Sequence, residues 1–265
     1  MKEIGFEELR KIQLEMLLKI DKFCQKNKIK YFLIAGTLIG AVRHQGFIPW
    51  DDDIDIMMLR EDYDRFIRCF NGTTEHLVVA APELDWDYYA PYANVYDDRT
   101  LLLEGNISHR GLELGVKIDV FPFDDLPKSE MVYTITRKVS NIFNFILWVK
   151  RSDKPFFEMD FKSKFVKLFL NWIPYGWSQR IIHIIGVSKW GGVSEDVFSR
   201  VFDIKKPLRV KKKSFGDGVY VPFEQYQFPI PTNPDDFLRV RYGDYMKLPP
   251  EEQRIPHHNF TAFWK

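Results

Sequence analysis

The chain has 265 residues, 45% of them hydrophobic, which is enough for one large packed domain or two small ones and too apolar for a disordered segment. Lys and Arg total 38 against 37 Asp and Glu, so the charge of +1 supplies no global basic field for nucleic acid and no acidic excess that would keep the chain open. Cys24 and Cys69 lack metal-ligand spacing and fall in apolar-periodic segments, which predicts buried thiols in a reducing compartment and argues against zinc ribbons and disulfide frameworks. The first ten residues mix charges of both signs, and nowhere do the ~18 consecutive apolar residues of a spanning helix occur. The expectation is a cytoplasmic protein with no cleaved signal.

Leu9, Ile12, Met16, Ile20 and Phe23 recur at helical steps and predict an amphipathic helix from Phe6 to Lys26. A β-rich run, Ile29 to Ile34, feeds an Ala35-Gly36-Thr37 turn and a helical stretch from Leu38 to His44. Helix N-termini present free N–H groups, and glycine lets an anion approach closely. Gly36 and Thr37 are therefore candidates for a phosphate site, with Thr37 as a simple N-cap the alternative.

Phe47 to Leu59 reads as a strand with Asp51, Asp53 and Asp55 on one face. Three carboxylates at that spacing repel one another unless a cation neutralises them, and oxygen-only ligation suits Mg²⁺ or Mn²⁺. A solvated acidic turn is the alternative; Ile54, Ile56 and Met57 to Leu59 argue against it because they require burial. A helix follows over Arg60 to Phe70, stopped by Asn71-Gly72, then short β runs at Leu77 to Ala80, Tyr88 to Tyr96 and Thr100 to Leu103. In Gly115 to Pro122 the apolar Val116, Ile118 and Val120 share a face opposite Lys117 and Asp119. Asp119 either takes a structural hydrogen bond from Lys117 or a loop, or completes a metal site with Asp53 and Asp55.

Residues 128–189 change character: they read as helices rich in Phe, Trp, Ile and Lys. Ordinary packing on the core is one reading; a membrane interface, with Trp148, Trp172, Trp177 and Trp190 at headgroup depth, is the other. Short strands and turns follow, then a helix over Asp235 to Tyr242 and an aromatic, Pro-rich tail that is expected to pack.

Two blocks, Ala35 to His44 and Gly46 to Asp55, together with Ile118 to Pro122, Tyr242 to Met246, Leu248-Pro249-Pro250 and His257, resemble the LicD family of phosphocholine transferases, distant relatives of fukutin-type transferases. The resemblance implies an α+β, nucleotidyltransferase-like fold: a mixed β-sheet flanked by helices, with a helical insert. It divides the chain into a catalytic core over 1–126, an insert over 127–202 that contacts acceptor or membrane, and a segment over 203–265 that packs back on the core. It further implies that Asp53, Asp55 and Asp119 are catalytic and hold Mg²⁺ or Mn²⁺, with Asp51 beside them, and that Asp119 serves as general base. Gly36, Thr37, Arg43, His44, Trp50, Lys117 and His257 become candidates for substrate binding, and His258 a weaker one. The implied reaction moves phosphocholine from CDP-choline to a hydroxyl of a cell-surface glycan, of lipopolysaccharide or teichoic acid type, releasing CMP. Trp50, Trp86, Tyr88, Tyr89 and Tyr92 are the aromatic candidates for the quaternary ammonium. Other readings are a nucleotidylyltransferase that makes a CDP-alcohol, transfer of ribitol or glycerol phosphate, and a catalytically silent adaptor at a membrane surface.

Overall fold

The structure, a computed structural model, describes residues 1–105, 107–109, 111–199, 209–256 and 260–265. Two candidate site residues, His257 and His258, lie outside the described residues.

The N-terminal third runs β1 (Lys2–Ile4), α1 (Phe6–Asn27), β2 (Phe32–Leu33), α2 (Ala35–Ile39), β3 (Asp55–Leu59) and α3 (Arg60–Cys69). The acidic strand is shorter than its alternation predicts: residues 49–54 are turn and coil, and pairing begins only at Asp55. Ala35, Gly36 and Thr37 form the first turn of α2 instead of a turn before it, and a π-helical turn, Gly40–His44, continues the helix. Then come β4 (Leu77–Ala80), β5 (Ala93–Asp97), β6 (Thr100–Glu104) and β7 (Lys117–Pro127). Tyr88 to Tyr92, expected in a strand, are irregular, because buried Tyr88 and Tyr89 fold under the sheet edge as a separate small apolar cluster. The insert is helical: α4 (Glu130–Arg151), α5 (Phe161–Phe165) and α6 (Tyr175–Val187). It is followed by β8 (Val193–Phe198), β9 (Val210–Lys211), the hairpin β10 (Val219–Phe223) and β11 (Tyr226–Ile230), α7 (Asp235–Tyr242) and β12 (Phe260–Trp264).

Among the described residues the central sheet has seven strands, ordered β2-β3-β7-β5-β4, with β8 and β9 extending from the far half of β7. Among the described residues only β3 and β7 run parallel, and their register sets Asp55 opposite Asp119. Parallel pairing buries both faces, which is why Ile56, Met57, Met58, Ile118 and Val120 are all buried. In a second sheet β12 lies between β1 and β6, so the two termini pair with each other. The fold is thus α+β, a mixed sheet covered by α1 and α3 and flanked by the helical insert. Residue 126 falls inside β7, so the expected core and insert share one continuous strand. Cys24 is buried as expected, but Cys69 is exposed: it closes α3 on the solvent side, so apolar spacing alone misplaced it.

One ionic network, built on the buried Asp124, ties the insert to the sheet. Arg60, at the start of α3, donates from Nε to Asp124 of β7 at 2.6 Å and from Nη1 to Glu83 at 3.1 Å. Tyr63 Oη donates to the other oxygen of Glu83, and His183 of α6 sits 3.1 Å from Glu83 Oε1. Burial alone would raise the Glu83 pKa, but His183 and Arg60 outweigh it and hold the carboxyl below its usual range. On the neighbouring turn of α6, a Cβ on Gly186 would stand 2.7 Å from Asp124 Oδ2, so only glycine permits that approach. Replacing Arg60 with Leu leaves the buried Asp124 without its cation and Glu83 with His183 alone, and is expected to cost roughly 3–5 kcal/mol in urea unfolding; a loss under about 1 kcal/mol, typical of exposed pairs, would contradict a structural role.

Candidate functional site

The acidic loop 48–54 has no regular structure of its own, so its shape must come from what grips it. From α1, Arg10 donates to the carbonyls of Ile48 (2.6 Å) and Asp51 (2.8 Å), and Gln13 Nε2 donates to the carbonyl of Asp52 (3.1 Å). From below, Thr37 Oγ1 accepts the Asp55 N–H at 2.9 Å and so fixes where β3 begins. At the loop's entry Glu224, in the β10–β11 turn, accepts the Phe47 N–H at 3.0 Å. These grips turn the carboxylates inward. Gly36 completes the fit: a Cβ there would sit 2.5 Å from Asp51 Oδ2. Ala35, just before it, is held at φ +53°, a strained conformation for a side-chain-bearing residue, and it borders the same cavity as the acids.

Asp51, Asp52 and Asp53 each offer a carboxylate oxygen within 4.8 Å of the others. This is the tightest acidic grouping among the described residues, and it differs from the expected trio of Asp53, Asp55 and Asp119. Asp55 and Asp119 instead face each other across β3 and β7. The Asp55 carboxyl is pushed well above the usual carboxylate range, first by burial and then by the charges of Asp53, Asp119 and Asp51, with Lys117 only partly offsetting them. All the donors are hard oxygens. The set fits a hard divalent cation better than zinc, since neither cysteine nor a described histidine stands among the grouped carboxylates.

Asp119 is oriented from the side. Asn94 Nδ2 donates to Asp119 Oδ1, and Asn94 Oδ1 in turn accepts from Tyr88 Oη at 2.5 Å. Lys117 Nζ is 3.9 Å from Asp119, donates to Tyr89 Oη at 2.9 Å, and pairs with Glu104 at 3.1 Å. Burial works against the Lys117 charge, yet Asp119 and Glu104 hold its pKa above normal. Glu104 itself, gripped by His109 and Lys117 against the cost of burial, falls to about 2. Lys117 is therefore a cation locked in place.

Two cavities meet at the acids. The larger, about 490 Å³, is lined by Gly36, Arg43, Trp50, Asp51, Asp53, Asp55, Tyr242 and Tyr245 among others. The smaller, about 200 Å³, is lined by Gln13, Asp52, Asp53, Tyr89, Tyr92, Glu104, Lys117, Asp119 and Arg151 among others. Asp53 borders both. The structure thus brings Gly36, Arg43 and Trp50 together on one side of the acids and Lys117 and Asp119 on the other. Thr37 is buried beneath the larger cavity, its hydroxyl engaged by Asp55. Arg43 spends Nη1 on the carbonyl of Tyr245 (2.5 Å) and Nε on His44 Nε2 (2.9 Å), so it anchors the tail over the cavity while His44 stays off the lining. Of the aromatic candidates, Trp50 lines the larger cavity, Tyr89 and Tyr92 the smaller, and Tyr88 is buried. Trp86 lies elsewhere, 5.4 Å from the His183 ring.

Sequence reasoning passed over Arg10, Gln13, Asn94, Glu104 and Arg151. A buried polar residue on the apolar stripe of α1 was the available signal for Gln13; nothing local marks Arg151, which reaches the site only because α4 ends beside Ser108.

Residues 28–134, which carry Gly36, the acidic loop and Asp119, match the family described as LicD/FKTN/FKRP, nucleotidyltransferase domain. Across 99% of both chains the sequence is 29% identical to the lipopolysaccharide cholinephosphotransferase LicD of Haemophilus influenzae. Shorter stretches are similar to uncharacterized proteins of Rickettsia typhi (46% over 66 residues, 24% of this chain and 21% of that one) and Rickettsia prowazekii (65% over 37 residues, 14% of each). The chain is thus similar to the LicD family both in a domain match over the acidic core and in a likeness that spans the insert and tail as well.

Proposed function

We propose that this protein is a phosphotransferase that moves phosphocholine from CDP-choline to a hydroxyl of a cell-surface glycan, of lipopolysaccharide or teichoic acid type, and releases CMP. The observation that carries the reading is the likeness to a lipopolysaccharide cholinephosphotransferase over nearly the whole chain. Carboxylates crowded between two cavities support it, because a transfer between two substrates needs a binding space on each side of the reacting phosphorus. The same arrangement would serve other alcohol phosphates, such as ribitol or glycerol phosphate.

In this reading the larger cavity takes the nucleotide, with Gly36 giving room at the start of α2 and Trp50 and Tyr242 as walls. Asp53, Asp55 and Asp119, with Asp51 alongside, would hold Mg²⁺ or Mn²⁺. Such an ion, when bound, neutralises the acids and polarises phosphate oxygens. Asp119, aimed by Asn94, accepts the proton of the acceptor hydroxyl. The acceptor oxygen bonds to the choline-bearing phosphorus, the bond from that phosphorus to the bridging oxygen breaks, and CMP leaves with that oxygen. Lys117 stays protonated and sets a fixed positive charge 3.9 Å from Asp119.

The insert supports a second element of the reading, contact with a membrane surface that presents the acceptor. Residues 161–190 contain no Asp or Glu and carry Lys162, Lys164, Lys167, Arg180 and Lys189. On the same stretch Phe161 is 84% exposed and Trp172 74%, and Leu168, Phe169, Trp177 and Trp190 are exposed too. Among the described residues no helix is long and apolar enough to cross a membrane. Such a surface would lie on anionic lipid, not through it.

Asp53→Asn, Asp55→Asn and Asp119→Asn are each expected to cut Mg²⁺-dependent CMP release from CDP-choline and glycan by at least about 10²-fold while the protein stays folded. Wild-type rates in the variants would refute the site, and pyrophosphate released from CTP and phosphocholine instead of CMP would favour the nucleotidylyltransferase reading. In vesicle flotation, the wild type is expected to rise with phosphatidylglycerol vesicles and not with phosphatidylcholine, and a Phe161→Ser, Trp172→Ser double variant to lose most of that binding; no recovery with either lipid would remove the membrane element.

A further inference from the structure

We infer that the smaller cavity is the acceptor subsite and takes a polyhydroxylated sugar unit, its hydroxyls bonded by Gln13 and Arg151; this deepens the transferase reading and rests on it. Gln13 is only 2% exposed. Its amide nitrogen is spent on the carbonyl of Asp52, but Oε1 has no hydrogen-bond partner. Arg151, the last residue of α4, lines the same cavity, and its buried Nε likewise has no partner. Buried polar atoms are rarely left unpaired, so an orphaned acceptor and an orphaned donor on two residues that line one cavity point to what belongs inside it. The occupant must offer a hydrogen-bond donor and an acceptor. A hydroxyl is both at once.

Choline, the other candidate, fits worse. A trimethylated nitrogen has no proton for Gln13 and no lone pair for Arg151. The Tyr89 face that would attract it already has the Lys117 ammonium 5.5 Å from the ring centroid. That fixed cation would repel a second one. A sugar suits the remaining walls, since Tyr89 and Tyr92 can cover its C–H face while its hydroxyl edge meets Gln13 and Arg151. The cavity also borders Asp53 and Asp119, so a sugar held there has a hydroxyl beside the proposed base.

Steady-state kinetics with CDP-choline and a lipooligosaccharide lacking phosphocholine test this in Gln13→Met and Arg151→Met. The acceptor KM is expected to rise at least tenfold in each variant, with the KM for CDP-choline within twofold of wild type in Arg151→Met, which leaves the grip of Gln13 on the acidic loop intact. A rise in the CDP-choline KM instead would assign the cavity to the donor's choline. Unchanged constants in both would leave it holding solvent, and either result overturns the proposal. A measurement on the wild type needs no variant to fold: saturation-transfer NMR, with CMP present, against galactose, N-acetylgalactosamine, glucose and choline chloride. Signal from a sugar and none from choline is expected; choline signal alone, or none from any sugar, overturns the proposal. Absence of CMP release by the wild type would fail the transferase reading, and the NMR result would still decide what the cavity binds.

Discussion

Like charges held close together at the border of two cavities are the constraint around which this molecule is arranged. Asp51, Asp52 and Asp53 crowd within one small radius, and Asp55 faces Asp119 across the parallel pair β3 and β7. Burial and the neighbouring acids raise the energy of the Asp55 carboxylate, and Lys117, engaged with Glu104 and Tyr89, only partly offsets them. A chain that only needed to fold would place these residues in water. The repulsion is held in place by grips on backbone: Arg10 and Gln13 on the loop carbonyls, Thr37 on the Asp55 amide, Glu224 on Phe47. Each grip orients main chain and leaves the carboxylates turned toward the cavities.

That division explains how one short loop serves two spaces. Pairing starts at Asp55, so residues 49–54 are not bound to the strict alternation of a strand, and neighbouring acids can look to opposite sides. Asp51 and Asp55 border the larger cavity, Asp52 the smaller, and Asp53 both. The tail closes the larger space through Arg43 and the carbonyl of Tyr245, while α1 and the end of α4 close the smaller. Parts distant in sequence are thus brought to one row of acids.

Periodic signals carried well from sequence to structure: the 3.6-residue stripe of α1 and the alternation in β7 appear where spacing places them. The acidic strand was over-read because alternation in 51–55 imitates pairing that the loop never makes; tertiary grips from Arg10 and Gln13 override it. The pairing of β1 with β12 was invisible, since a three-residue strand has no periodicity and its partner lies at the other end of the chain. The acids themselves were legible as chemistry, because closely spaced carboxylates beside buried Ile54 and Ile56 have no simple structural use. Gln13 and Arg151 were not. Their significance lies in what they fail to bond, which only three-dimensional packing reveals.

We propose that a divalent cation relieves the repulsion centred on Asp55. Because the folded protein raises the Asp55 pKa, this group's contribution to stability is complete below its ordinary value of 3.8 and is lost as pH rises through the elevated folded value. A bound cation should restore what is lost. Thermal unfolding across pH 5 to 8 with and without Mg²⁺, at constant ionic strength, measures this most directly. A Mg²⁺-induced rise in Tm that grows with pH and disappears in Asp55→Asn is expected; a rise that is absent at every pH, or that survives in the variant, would rule out cation relief at Asp55.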